Sequence, residues 1–169
     1  MRSERERAQP RKKLARLSKG HSRGGDAGTI SGRTKLCFIL GWPVDHSCSP
    51  AMQNAAFRAL ELPWIFLPWA VRPDHLKGAL AGIRAMDNCG GGNLTIPHKE
   101  AAIAHLDSLS PEAELIGAVN TIRREQDGGL RGHNTDGIGF LRALSCVGRL
   151  DPAGLRAVVL GAGGAARGV

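Results

Sequence analysis

The 169-residue chain predicts an α/β fold, a three-layer open sheet with helices on both faces. Three observations lead there. Short apolar runs bounded by Gly or Pro alternate with segments that open on capping residues and continue at helical spacing. Asp127-Gly128 separates two short strand-like runs, a dipeptide suited to a tight hairpin turn. Near the end, an apolar run passes directly into a glycine-rich turn.

Taken in order, Leu36 to Leu40 reads as a buried strand ended by Gly41 and Pro43. Ser49 followed by Pro50 predicts an N-cap and first helical position, with Met52, Ala56, Ala59 and Leu60 continuing the helix. Trp64 to Val71 predicts a second strand, in which Pro68 indicates an edge or a bulge. Pro73 opens a helix whose Leu76, Leu80 and Ile83 form an apolar stripe, ending before Asn88 and the glycines at 90–92. Asn93 to Ile96 predicts a third strand, followed by Pro97 and a helix carrying Ile103 and Leu106. Ser110-Pro111-Glu112 repeats the capping pattern. Ala118 to Arg124 and Leu130 to His133 predict a hairpin, and Asn134-Thr135-Asp136 caps a helix through Ile138, Leu141 and Leu144.

Asp151-Pro152 and Gly154 mark a boundary. Beyond it, Ala157 to Leu160 predicts a buried strand running into Gly161-Ala162-Gly163-Gly164-Ala165-Ala166. This fits G-x-G-x-x-A, the turn that lets a dinucleotide pyrophosphate approach a helix N-terminus, so the segment reads as the start of an incomplete Rossmann domain. The division expected is a basic leader over 1–32, a substrate-binding and catalytic α/β domain over 33–150, and the beginning of a dinucleotide domain over 151–169.

The formal charge is +8, but residues 1–35 carry eleven Lys or Arg against three Asp or Glu, and the rest of the chain carries twelve of each. The folded part is therefore balanced. The leader has the composition of a disordered segment, and an unselected extension is a simpler reading of it than a nucleic-acid tail. Its Glu4, Glu6 and Asp26 count against an organelle transit peptide. No apolar run approaches the roughly 18 residues that span a bilayer, so a soluble, cytoplasmic protein without membrane or nucleic-acid partners is expected. Cys37, Cys48, Cys89 and Cys146 show neither CxxC nor metal-ligand spacing, and no metal site is expected.

Candidate site residues cluster where strands end. Ser47 and Ser49 stand between a strand and a helix N-terminus, and their hydroxyls with the helix dipole suit a carboxylate. Taken alone, the pair is better read as a turn and a cap. Lys99 falls in the first turn of a helix, where the dipole opposes a cation and eases proton loss, as acid-base work on an alcohol requires. An isolated lysine there would simply be solvated. Asp136, at another helix start, is favoured by the same dipole, either as a cap or as a partner for Lys99. Asn93, Thr95, Asn120 and Asn134 are turn-forming types, yet four at one predicted sheet edge suit the hydroxyls of a sugar-like acid. His98 and His133 lack metal spacing.

The series S-x-S-P (Ser47 to Pro50), N-x-T-x-P-x-K (Asn93 to Lys99), A-V-N-T (Ala118 to Thr121), N-T-D-G (Asn134 to Gly137) and G-A-G-G-A (Gly161 to Ala165), in that order, resembles the shikimate dehydrogenase family, which includes quinate/shikimate dehydrogenases. The resemblance runs from about Ile30 to Val169. It implies that Ser47 and Ser49 bind a substrate carboxylate, that Thr95, Asn120 and Asn134 contact ring hydroxyls, and that Lys99 and Asp136 are the catalytic pair. It further implies NADP as cofactor, with Gly161, Ala162, Gly163, Gly164 and Ala165 in its site, and shikimate or 3-dehydroshikimate as substrate. The reaction implied is reversible reduction of 3-dehydroshikimate, with quinate specificity or binding without catalysis as alternatives and a homodimer left open. The family's NADP-selecting motif, a substrate-contacting glutamine and the helices that return to the first domain are expected after Val169. Trp42 and His133 depart from the residues usual in the family.

Overall fold

β1 (Lys35–Gly41) is the predicted first strand, and its alternation divides the molecule into two sides. The structure, a computed structural model, describes residues 30–168. All but the last three residues of the basic leader thus lie outside the described residues, as does Val169. Successive side chains of a strand point to opposite faces. Phe38 and Leu40 join Leu76, Leu80, Ile83, Leu94, Ala113, Ile122 and Leu130 in the larger core. Cys37 and Ile39 face the other way, into a smaller cluster with Val44, Phe66 and Phe57.

The sheet has six strands in the order β2-β1-β3-β5-β6-β4. β2 (Trp64–Ala70) and β3 (Cys89–Leu94) run parallel to β1. β5 (Thr121–Arg124) and β6 (Leu130–His133) form the hairpin predicted around Asp127-Gly128, with β5 antiparallel to β3. β4 (Ser108–Leu109) is a two-residue edge strand beside β6 that the sequence pattern does not announce. Pro68 sits on the edge strand β2, as its missing N–H requires.

Helices cover both faces. α1 (Ser49–Ala59) lies on the Cys37 side through Phe57, and α2 (Leu76–Ala85) lies on the Phe38 side through Leu76, Leu80 and Ile83. The helix predicted from Pro73 is a 3-10 turn over Pro73–His75 that leads into α2. α3 (His98–Ala101) is a single turn prolonged as 3-10 helix over Ala102–His105, so Leu106 lies beyond the helix. α4 (Pro111–Ile116) carries the predicted cap, with the Ser110 hydroxyl accepting from the Ala113 N–H at 3.2 Å. α5 (Asp136–Cys146) follows β6, and α6 (Gly164–Arg167) follows the glycine turn.

Several expectations are corrected. The third strand begins at Cys89 and includes the glycines read as a loop, while Thr95 and Ile96 lie past its end. The reason is steric: a methyl on Gly92 would overlap the Phe38 carbonyl, and one on Gly91 would overlap that of Ile122. β5 likewise starts at Thr121 rather than Ala118. Ser49 is the first helical residue and Cys48 occupies the cap position with no side-chain cap bond. Met52 of α1 and Leu60 just past its end are exposed; besides Phe57, the inward anchor is Asn54, whose amide bonds both the carbonyl and the N–H of Phe66 at 2.8 and 2.9 Å. An edge strand leaves such backbone groups unpaired, and Asn54 satisfies them. Ala157 to Leu160 forms no strand, and Val158 and Leu160 are 87% and 93% exposed. No neighbouring strand among the described residues offers it a ladder.

Candidate active site

Strand directions alone bring the candidate residues to one end of the sheet. The chain leaves the C-terminal end of β1 toward Ser47 and Ser49, and that of β3 toward Thr95 and Lys99. Because β5 is antiparallel to β3, its N-terminal end, next to Asn120, lies at the same edge. β6 reverses again and delivers Asn134 and Asp136 there. Open α/β sheets bind ligands at this position, where strand ends leave a crevice.

At that edge the Lys99 ammonium donates to Asp136 Oδ2 at 2.6 Å. The two side chains are only 16% and 29% exposed, so the pair is sheltered without being sealed. The other carboxylate oxygen, Oδ1, accepts from Asn120 Nδ2 at 2.6 Å. Asn120 Oδ1 in turn accepts from the Thr135 N–H at 3.0 Å and from the Thr121 hydroxyl at 2.9 Å. The Thr121 hydroxyl also accepts from Asn93 Nδ2 at 3.1 Å. A continuous polar network thus runs from Asn93 to Lys99.

Asn134 is buried, and both ends of its amide are engaged by backbone: Nδ2 donates to the Ala118 carbonyl at 3.0 Å and Oδ1 accepts from the Asp136 N–H at 3.0 Å. Asp136 opens α5 with its carboxylate in the first turn, where the dipole favours it. On the β1 side, the Ser47 hydroxyl accepts from the Ser49 N–H at 3.3 Å, which shapes the entry to α1. Thr95 packs its methyl against Gly41, and the Trp42 N–H donates to the Ile96 carbonyl at 3.0 Å, so the two loops are joined. Among the described residues no hydrogen bond links either serine to the Lys99 network.

An open groove of about 490 Å³ lies on the face that carries α1, lined by Gln53, Phe57, Asn93, Thr121, Arg123 and His133 among others. It does not include Lys99 or Asp136; it borders their network through Asn93 and Thr121. Burial, and then the charges of Arg123 and Arg131, hold His133 below the usual histidine value of 6.5, so it is neutral at physiological pH. His98 is fully buried, with Nε2 donating to the Val71 carbonyl at 2.7 Å. A carbonyl can only accept, which fixes that tautomer, and His98 acts as a pin for α3 beside Lys99. Among the described residues no group of His, Cys, Asp or Glu is placed to hold a metal.

The glycine turn reaches this edge too. Gly164 lies close to the β-carbons of Lys99 and Ala118, and Arg167 pairs with Glu100 at 3.2 Å. Gly161 has φ +114, and the positions a Cβ would take at Gly161 and Gly163 are open space. A turn of this kind at the start of a helix fits a pyrophosphate.

Residues 39–122 match the family model for the shikimate dehydrogenase substrate binding domain. The NADP(+)-dependent shikimate dehydrogenase of Geobacter metallireducens is 56% identical over 138 residues, 82% of this chain and 48% of that protein. The chain belongs to the shikimate dehydrogenase family. The Thermus thermophilus shikimate dehydrogenase crystallised with shikimate is 47% identical with a TM-score of 0.74, over 80% of this chain and 50% of that one. A Gluconobacter 5-ketofructose reductase is 40% identical with a TM-score of 0.73, over 82% of this chain and 48% of that one. The chain therefore spans about half the length of the family members it matches.

Sequence reasoning named both members of the ion pair and placed each at a helix start. It did not find Thr121 and Thr135 as members of the network around Asn120, nor Asn54 and His98 as structural pins. Thr121 stands inside a quoted motif, so the signal was there; its hydroxyl direction was not.

Proposed function

We propose that this chain forms the substrate-binding and catalytic half of an NADP-dependent shikimate dehydrogenase, which reduces 3-dehydroshikimate reversibly to shikimate in the cytoplasm. The observation that carries the proposal is the 2.6 Å bond between Lys99 Nζ and Asp136 Oδ2 at the strand-end edge. In this reading Ser47 and Ser49 hold the substrate carboxylate, and Thr95 and Asn120 meet ring hydroxyls, Asn120 by exchanging one of its present bonds.

The dinucleotide, when bound, supplies the hydride chemistry, and Gly161, Ala162, Gly163, Gly164 and Ala165 would hold its pyrophosphate. In the reductive direction Lys99 donates a proton to the carbonyl oxygen as it becomes an alcohol, and in the oxidative direction it takes that proton back. Asp136 keeps the lysine head aimed and balances its charge, and Asn120 keeps the carboxylate from rotating. Preorganised charge at the reacting oxygen lowers the barrier without rearrangement at the moment of reaction. The likeness to a 5-ketofructose reductase supports a site class that accepts hydroxylated ketones and their alcohols.

The test is twofold. Titrating the chain with shikimate at millimolar concentration by calorimetry should give saturable heat, reduced tenfold or more in affinity when Ser47 and Ser49 are both replaced by Ala. Turnover with shikimate and NADP, followed by NADPH absorbance in the enzyme carrying this half, should be lost in Lys99→Met. Saturable shikimate binding that is indifferent to the serines, or full turnover without Lys99, would sink the reading.

A further inference from the structure

We propose that Asn134 is a positioning residue that fixes the separation of Lys99 and Asp136 by closing a hydrogen-bonded ring through a single peptide group. The proposal rests on the catalytic reading of that pair for its meaning, but its geometry stands apart from it.

The ring is built as follows. Val119 N–H donates to the Lys99 carbonyl at 2.7 Å. The carbonyl of the same peptide unit, that of Ala118, accepts from Asn134 Nδ2 at 3.0 Å. Asn134 Oδ1 accepts from the Asp136 N–H at 3.0 Å, and the Asp136 carboxylate accepts from the Lys99 ammonium. One peptide plane and one planar amide thus join the main chains of both members of the pair, whose side chains then close the loop. Ala118 and Val119 are fully buried and Asn134 is 7% exposed, so water does not compete readily for these bonds.

Only an amide fits this place. It needs a donor toward Ala118 and an acceptor toward Asp136 at once, within one rigid plane. An aspartate would set a carboxylate oxygen against the Ala118 carbonyl, and a serine would reach Asp136 N–H but not Ala118. With its side chain buried and each end of its amide bonded to backbone, Asn134 acts on substrate chemistry through the pair. This differs from the ring-hydroxyl contact that the sequence resemblance implies for it.

The experiment uses nuclear magnetic resonance on the 169-residue chain, comparing the unaltered protein with Asn134→Asp, Asn134→Ser and Asp136→Asn. The readouts are the Lys99 ζ-ammonium resonance, amide hydrogen exchange at Val119 and Asp136, and shikimate affinity by titration. Both Asn134 variants should move the Lys99 resonance at least halfway to its position in Asp136→Asn and should speed Val119 exchange tenfold or more, with shikimate affinity changed less than fivefold. A Lys99 resonance left in place in the folded Asn134→Ser protein, or a fivefold or greater loss of shikimate affinity in it, would overturn the proposal. Those outcomes leave the catalytic reading intact, since that reading is tested separately by the turnover of Lys99→Met and by the serine variants.

Discussion

The bond between Lys99 and Asp136 joins opposite charges in partly desolvated surroundings, where removing one partner leaves the other uncompensated. Asp136→Asn preserves the shape and the bond from Asn120 while deleting the charge. Steady-state kinetics on the enzyme should show kcat lower by roughly 10²- to 10⁴-fold, the range of general acid-base catalysis, with KM changed far less. Burial, followed by the neighbouring Cys89, pushes the Cys37 thiol up to about 12, whereas Cys48 and Cys146 are exposed. A thiol-specific reagent at mildly alkaline pH should therefore label Cys48 and Cys146 in the folded chain and spare Cys37 until denaturant is added. His133 gives a pH signature. Its folded value lies below 6.5, so the unfolded chain binds more protons as pH falls. That contribution to stability is fully present above pH 6.5 and is lost as pH falls through the folded value. Thermal melts across this range should be flatter for His133→Gln. Asp107, held below its usual value of 3.8 mainly by the Leu130 N–H, loses its contribution only in stronger acid, so the two effects separate.

At the level of elements, β3 shows how strands are placed by what their residues lack. Gly91 has φ +119 and, like Gly92, leaves no room for a methyl beside the adjoining backbone. Gly92→Ala should cost about 1–3 kcal/mol in urea unfolding, the usual effect of overpacking. Reading glycines 90–92 as a loop follows from their low strand propensity, and packing between β1 and β5 overrides it. The caps were only half legible. Ser110 caps as its Ser-Pro-Glu pattern predicts, whereas Ser49 before Pro50 starts its helix one residue early. Residues 134–136 form a turn in which Asn134, rather than Thr135, bonds the Asp136 N–H. The same residue types serve caps and local turns, and only the backbone path separates the two uses.

Across the whole molecule, the core is the sheet and the helices on its two faces, and the segment after α5 adds little to it. α5 has no buried residue, and Ile138, Phe140 and Leu141 are exposed along it. Leu80→Ala, at a fully buried core position, should lower unfolding free energy by about 2–5 kcal/mol. Val158→Lys, at an exposed one, should change it by less than about 0.5 kcal/mol. Equal costs in denaturant titrations would mean that residues 157–160 pack into the folded unit after all. An apolar run reads as a buried strand because burial is where such residues gain most. Realising that gain needs a partner strand, and among the described residues this run has none.

The sequence by itself determined the α/β class, the hairpin return of the sheet, the hydrophobic stripe of α2, and the identities of the paired lysine and aspartate. Those follow from period, capping chemistry and motif order, which are local properties of the chain. Only the tertiary structure decided that the pair meets, that Asn120 and Asn134 are bonded within the protein, and that β3 runs through glycines. Each of these depends on strand direction and close approach between segments distant in sequence, and no local pattern encodes the direction of a hydroxyl or an amide.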